Sequence, residues 1–268
     1  MKPKYNRFLR VAFPSLIILP AMAQMASAAA IMPDGAGNIL MTVVGSVNGV
    51  SAGDASSISN SGSIIGQSGD GAIVGNGATV SNLTTFDTGP FGAIFGGQIT
   101  GNSDGVVAGN NLTLTNQNRG SIIGAAGDGI AAGNDANITN ASGANVTGGD
   151  KGISAGTGLT LNNSGTITGQ NDDGVAATTG ANITNSGTIT ANGVNGDGIY
   201  LEANGVVNNT GSIVSNFDDG IDSAILISIG SGYAINQDLS LNFGYRGEFS
   251  TGDGVDSNGA SVGLSYEF

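Results

Sequence analysis

The chain has 268 residues, 48 of them glycine, with 20 acidic against 7 basic residues and no histidine, cysteine or tryptophan. The missing residue types exclude Ser-His-Asp and Cys-His nucleophile systems, zinc sites of the usual ligand types and any disulfide framework. So few Lys and Arg leave no basic surface for a phosphate backbone, and glycine this abundant without a three-residue period is not collagen.

Residues 1–28 read as an export leader. Lys2, Lys4, Arg7 and Arg10 precede an apolar run from Val11 to Ala23, and the small-x-small rule places cleavage after Ala23 or after Ala28. Pro14 and Pro20 interrupt the run, which is short for a bilayer span. Without the leader, three basic residues (Arg119, Lys151 and Arg246) face 20 acidic ones, a formal charge of −17. Residues 29–47 are expected to cap the first repeat.

From Asn48 to about Phe217 one ruler recurs seven times: a glycine, an apolar residue directly after it, an apolar residue nine places on and an asparagine eleven places on. The glycines are Gly49, Gly71, Gly105, Gly129, Gly152, Gly174 and Gly198; the asparagines are Asn60, Asn82, Asn116, Asn140, Asn163, Asn185 and Asn209. Apolar residues fall at odd offsets within each unit, a period of two that belongs to strands and not to helices. Successive glycines lie 22, 34, 24, 23, 22 and 24 residues apart, enough for three short strands and three turns. The fold class predicted is therefore all-β, a right-handed parallel β-helix of about seven coils over residues 48–218, in which neighbouring coils cover each other's apolar side. Its third strands centre on Ile64, Ile99, Ile122, Val146, Ile167, Ile189 and Ile213. The asparagines share the parity of the apolar positions and should point inward, stacking as an amide ladder. Gly62, Gly143, Gly165, Gly187 and Gly211 follow them closely and are expected to supply positive φ.

Unit two carries about 13 extra residues, Thr84 to Gly96, with Phe86, Phe91 and Phe95 around Pro90. Two readings fit: an apolar flap folded over the prism, or a binding loop. Before the repeat glycines stand Asp70, Asp104, Asp128, Asp173 and Asp197, a column that is either solvated turn chemistry or a calcium site between rungs; the Gly/Asp nonapeptide of calcium-binding β-rolls is absent from the sequence.

Residues 219–268 change pattern to long strict alternation in three stretches, predicted as three antiparallel strands of about ten residues joined near Asn236 to Asp238 and Ser250 to Gly259. The stretch from Gly232-Tyr233-Ala234-Ile235-Asn236 through Leu239-Ser240-Leu241 to Val262-Gly263-Leu264-Ser265-Tyr266-Glu267-Phe268 resembles the last strands of an autotransporter barrel. With the leader and the Asn/Gly-rich repeats, the chain is similar to the autotransporter family of Gram-negative bacteria. That resemblance implies an outer membrane or cell surface location, with the periplasm or secretion as alternatives. It also implies recognition of Val262, Leu264, Tyr266 and Phe268 by the barrel-assembly machinery. Family barrels have about twelve strands and three cannot close, so a shortened family member, including a nonfunctional remnant, is the competing expectation.

No enzyme activity and no cofactor are expected, because the repeat offers only Arg119 and Lys151 as basic partners for clustered carboxylates. The function expected is a structural or adhesin surface, whose partners are a host surface or glycan, or further copies of itself. A passive carbohydrate-binding solenoid is the alternative. Ice binding through the outward pairs Thr166/Thr168 and Thr188/Thr190 is a third class; Ser63/Ile65, Ser121/Ile123 and Ser212/Val214 occupy the equivalent places.

Overall fold

The computed structural model describes residues 29–33, 39–43, 46–86, 94–223, 226–234, 239–248 and 257–266. The leader and Phe268 lie outside these described residues, as do residues 87–93 with Pro90 and Phe91.

Every described element is a strand, and parallel pairing stacks the repeat units as a β-solenoid of about seven turns. Three sheets run along the axis. The glycine sheet has eight strands, from Val50–Ala52 to Ile221–Ser223, the first seven placed just after a repeat glycine and the last after Gly220. The asparagine sheet holds the strands that end on the asparagines, from Ser57–Asn60 to Val206–Asn209. The third sheet has eight strands, from Ser46–Asn48 to Ser212–Ser215. Registers are locked from rung to rung: Ile64, Ile99, Ile122, Val146, Ile167, Ile189 and Ile213 pair in sequence along the third sheet. Short strands suit this arrangement because each strand's partners lie one coil above and one below, about 4.8 Å away.

Alternation sorts the side chains. In Thr113–Asn116, Asn137–Asn140 and Asn145–Gly148 the second and fourth residues are buried and the first is exposed. The interior consists of rows of Ile, Val and Leu, among them Ile58, Val80, Leu114, Ile138, Leu161, Ile183 and Val207. Burying a side chain of this size contributes about 1.5–3 kcal/mol. A further buried row lies in the turn before the asparagine sheet: Ser56, Ala78, Leu112, Ala136, Leu159 and Ala181.

The sheets extend beyond the limits 48 and 218 read from the repeat. Ile39–Val43 pairs in parallel with Ser57–Asn60, and Ala29–Pro33 then runs antiparallel along its outer edge. An antiparallel strand there ends the parallel stacking of that sheet. At the other end Ile221–Ser223 adds an eighth rung beside Ile199–Leu201. The period alone misses both because neither has the full Gly-to-Asn interval.

At the two ends of the extra residues of unit two, Thr84–Phe86 pairs antiparallel with Ile94–Gly96. Thr84 N–H donates to Gln117 Oε1 at 3.1 Å, Thr84 Oγ1 donates to the Asn118 carbonyl, and Arg119 donates to the Ile94 carbonyl at 3.1 Å. Coil three thus holds this pair at the corner between the asparagine and third sheets. Phe95 is 59% exposed, so it does not fold over the prism as a flap would.

Beyond the solenoid, Leu226–Ala234, Leu239–Glu248 and Ser257–Tyr266 form an antiparallel three-stranded sheet. The register sets Tyr266 opposite Leu239, Leu264 opposite Leu241 and Val262 opposite Phe243, while Ser265 and Gly263 meet Ser240 and Asn242. Apolar positions therefore pair with apolar positions between the last two strands, whereas the first pair sets Leu226 opposite Glu248 and Ser231 opposite Phe243.

Candidate functional site

The seven asparagines form one continuous ladder. Each Nδ2 donates to the Oδ1 of the next coil: Asn60 to Asn82 at 2.8 Å, Asn82 to Asn116 at 2.8 Å, Asn116 to Asn140 at 3.0 Å, Asn140 to Asn163 at 2.9 Å, Asn163 to Asn185 at 2.7 Å and Asn185 to Asn209 at 2.8 Å. The amide also donates to a backbone carbonyl at the third sheet, such as Asn116 to Asn145 at 3.0 Å and Asn140 to Thr166 at 3.1 Å. Each side chain from Asn60 to Asn185 therefore ties the asparagine sheet to the third sheet of the following coil. Asn60 through Asn185 are buried, and full pairing of donor and acceptor is what makes that burial tolerable. At the N-terminal end buried Val43 takes the asparagine's place in the register, so the ladder stops against an apolar side chain.

Glycine is required by the ruler for space. A Cβ at Gly129 would lie 2.6 Å from the Gly152 carbonyl oxygen and 2.7 Å from a Val146 methyl, and Gly71, Gly105, Gly152, Gly174 and Gly198 are equally close to the next coil. The glycines after the asparagines act the same way, which corrects the expectation of positive φ: among them only Gly143 has one, at +74°, whereas a Cβ at Gly187 or Gly211 would meet a carbonyl oxygen at 2.1 Å. Positive φ instead recurs six residues after each repeat glycine, at Ala55, Gly77, Asn111, Asp135, Gly158, Gly180 and Asn204. The sequence signal was present, since six of these seven residues are Gly, Asn or Asp, the types that tolerate this conformation. One residue earlier lies a second, exposed ladder: Asp54, Asn76, Asn110 and Asn134 each accept the backbone N–H of the next coil at 2.7–2.9 Å.

The aspartates gather on the corner between the third and glycine sheets. Asp70 Oδ1 accepts the Asp104 N–H at 3.1 Å, Asp104 accepts that of Asp128 at 2.6 Å and Asp128 that of Lys151 at 3.1 Å. The series resumes as Asp173 accepts the Asp197 N–H at 2.9 Å and Asp197 that of Asp219 at 3.1 Å. Lys151 interrupts it, and its ammonium pairs with Asp172 and, at 3.6 Å, with Asp150. Burial opposes the charge on Lys151, but the hydrogen bond and charge of Asp172 outweigh it and hold its pKa above the ordinary value. Desolvation raises the carboxyls: Asp128 is pushed up, Asp173 to about 6 and Asp197 to about 7, where the charges of Asp173 and Asp222 add to burial. Asp222 is also raised, by burial and by Asp219 and Asp218.

The five sequence-selected aspartates thus share one corner, yet one oxygen of each is occupied by a backbone N–H. Among the described residues, three carboxylates come together in a different group, Asp197 with Asp218 and Asp219, whose oxygens lie within 4.8 Å of one another. Sequence reasoning selected only Asp197 of the three, because Asp218 and Asp219 lie where the ruler ends.

On the solenoid faces charge is found only at Glu202 and Asp222 of the glycine sheet. The outward positions of the third sheet, from Ser63 and Ile65 to Ser212 and Val214, carry none, and neither do those of the asparagine sheet from Ser57 and Ser59 to Val206 and Asn208. Of the residues expected to bind the barrel-assembly machinery, Val262, Leu264 and Tyr266 lie on the last described strand and Phe268 lies outside the described residues. No family model, curated protein or solved structure matches the chain.

Proposed function

We propose that this protein is an exported, autotransporter-like scaffold that works by presenting a long, repetitive β-solenoid surface in adhesion or aggregation. The observation that supports it best is the distribution of side chains on the prism: two of three faces are uncharged and repeat Ser, Thr and Asn at rung spacing, while Asp70, Asp104, Asp128, Asp173 and Asp197 line one corner. A surface of that kind offers many equal weak contacts, which suits multivalent attachment more than turnover of one substrate.

The antiparallel sheet of Leu226–Ala234, Leu239–Glu248 and Ser257–Tyr266, with the apolar positions paired between its last two strands, supports an outer-membrane anchor for the scaffold. The test is to locate the solenoid in expressing cells. Protease accessibility and antibody labelling of intact cells are expected to find it at the surface. Material confined to the periplasm, or degraded there, would sink this reading and favour a remnant without a working exporter.

A further inference from the structure

We propose that the last two turns of the corner between the third and glycine sheets form a docking site for a basic peptide segment, whose Lys or Arg side chains lie over Phe217 and pair with Asp218 and Asp219. The inference goes beyond the scaffold reading, because it concerns one local site and not the repeated faces. Val194 and Phe217 are 71% and 66% exposed, the two most exposed large apolar side chains among the described residues. They occupy consecutive turns of this corner, and the turns are tied together. Asn216 Nδ2 donates to Asn192 Oδ1 at 2.6 Å, and the Asn216 N–H donates to the Ala191 carbonyl at 3.1 Å. Earlier turns of the corner offer nothing comparable. From Gln67-Ser68 in the first coil to Asn171-Asp172 in the fifth, they hold residues that are small, polar or acidic.

The turn that carries Phe217 is fixed by one hydroxyl. Ser215 Oγ donates to the Gly196 carbonyl at 2.7 Å and accepts the N–H groups of Phe217 at 3.2 Å and Asp218 at 2.8 Å. The aromatic ring is thus held out from an ordered backbone, which lowers the entropy that a partner must overcome.

The acidic surroundings decide what the site accepts. Asp218 and Asp219 are exposed next to Phe217, and their oxygens lie within 4.8 Å of each other and of Asp197. On the adjoining glycine sheet Asp222 pairs in register with Tyr200, which is 38% exposed. Among the described residues the ion pairs are those of Lys151 with Asp150 and Asp172, so this group of carboxylates keeps its charge unneutralised. A second copy, with a formal −13, would bring more of the same charge, as would a phosphate backbone. Insertion of Val194 and Phe217 into lipid would carry the neighbouring carboxylates out of water. A Lys or Arg side chain satisfies both halves of the site. Its stem covers apolar surface, its head meets the carboxylates, and the ring of Phe217 attracts the cation directly. Two turns stand about 4.8 Å apart, so the site spans a few residues of extended peptide and the binding is weak.

The experiment is fluorescence anisotropy, in which a labelled peptide of alternating Arg and Ser is titrated with the full chain. It is repeated with Phe217→Ser, with Asp218→Asn and Asp219→Asn combined, and with Asp54→Asn and Asp135→Asn combined. The last pair removes the same charge from a different corner. Wild type is expected to bind with a Kd of about 0.1 mM, more weakly as salt rises to about 0.5 M. Phe217→Ser should weaken binding about fivefold and the Asp218/Asp219 variant about tenfold, against less than about twofold for the Asp54/Asp135 variant. Should Phe217→Ser lower the melting temperature, Val194→Ser replaces it. Equal weakening by the two charge variants, binding that survives loss of the apolar side chain, or no binding at all overturns the proposal. So does a wild type that ignores the peptide and binds phosphatidylcholine vesicles instead.

Discussion

Ser56 and Ala55 carry the clearest local strain in the solenoid. Ser56 is 1% exposed and its hydroxyl is the one buried side-chain polar atom without a hydrogen-bond partner among the described residues. Its equivalents in the next coils are Ala78 and Leu112, so an apolar side chain fits the row. Ser56→Ala should stabilise the protein by about 1 kcal/mol, the scale of an unsatisfied buried hydroxyl, read as a higher urea midpoint at unchanged slope. Ala55 has φ +52° at a position where three other coils place glycine. A left-handed alanine costs about 1–2 kcal/mol and glycine's greater unfolded entropy returns about 0.5–1, so Ala55→Gly should gain several tenths of a kcal/mol. The ladder predicts the opposite sign. Asn140→Ala strands the Asn116 donor and the Asn163 acceptor in the interior, at about 1–3 kcal/mol each, whereas Asn209→Ala at the half-exposed end should cost less than about 1 kcal/mol. Equal losses at the two positions in urea denaturation would mean that the amides do not act as a chain.

At the scale of the element, the acidic corner makes stability depend on pH. Asp173 and Asp197 titrate near 6 and 7 in the folded chain, against about 3.9 for an unfolded aspartate. Between about pH 4 and 7 the folded state therefore holds more protons, so this contribution is largest at the acidic end and is lost as pH rises through both folded values. The melting temperature should be higher at pH 5 than at pH 8, and Asp197→Asn should flatten the dependence while its amide oxygen still accepts the Asp219 N–H. A melting temperature that rises across that interval would contradict the burial of these carboxylates. The same corner shows where sequence was sufficient. Parity and a fixed offset located the strands and the ladder, because both follow from period two and rung stacking. The Asp-to-backbone bonds and the outermost parallel strand Ile39–Val43 depend on which groups meet across coils or at an end. There Val43 replaces the asparagine, so a ruler defined on Gly and Asn passes over it.

For the molecule as a whole, coils bond only to their neighbours, so stability along the axis is close to a sum of coil and interface terms. Gly129 lies in the fourth of seven units and Gly198 in the last. Gly129→Val would drive a side chain into the Gly152 carbonyl and the Val146 methyl, opening the stack in its middle. Gly198→Val meets Gly220 at 2.4 Å and disturbs only the final rung. Hydrogen exchange should then separate the two. With Gly198→Val the amides of the asparagine sheet from Ile58 to Ile183 stay protected together. With Gly129→Val protection falls around Ile130 and Ile153, and the coils on either side exchange as independent blocks. A core that still melts as one unit after the central substitution would require coupling beyond nearest neighbours. The buried asparagine ladder, continuous from Asn60 to Asn209, is the element able to carry it, and combining Gly129→Val with Asn140→Ala should then restore the two blocks.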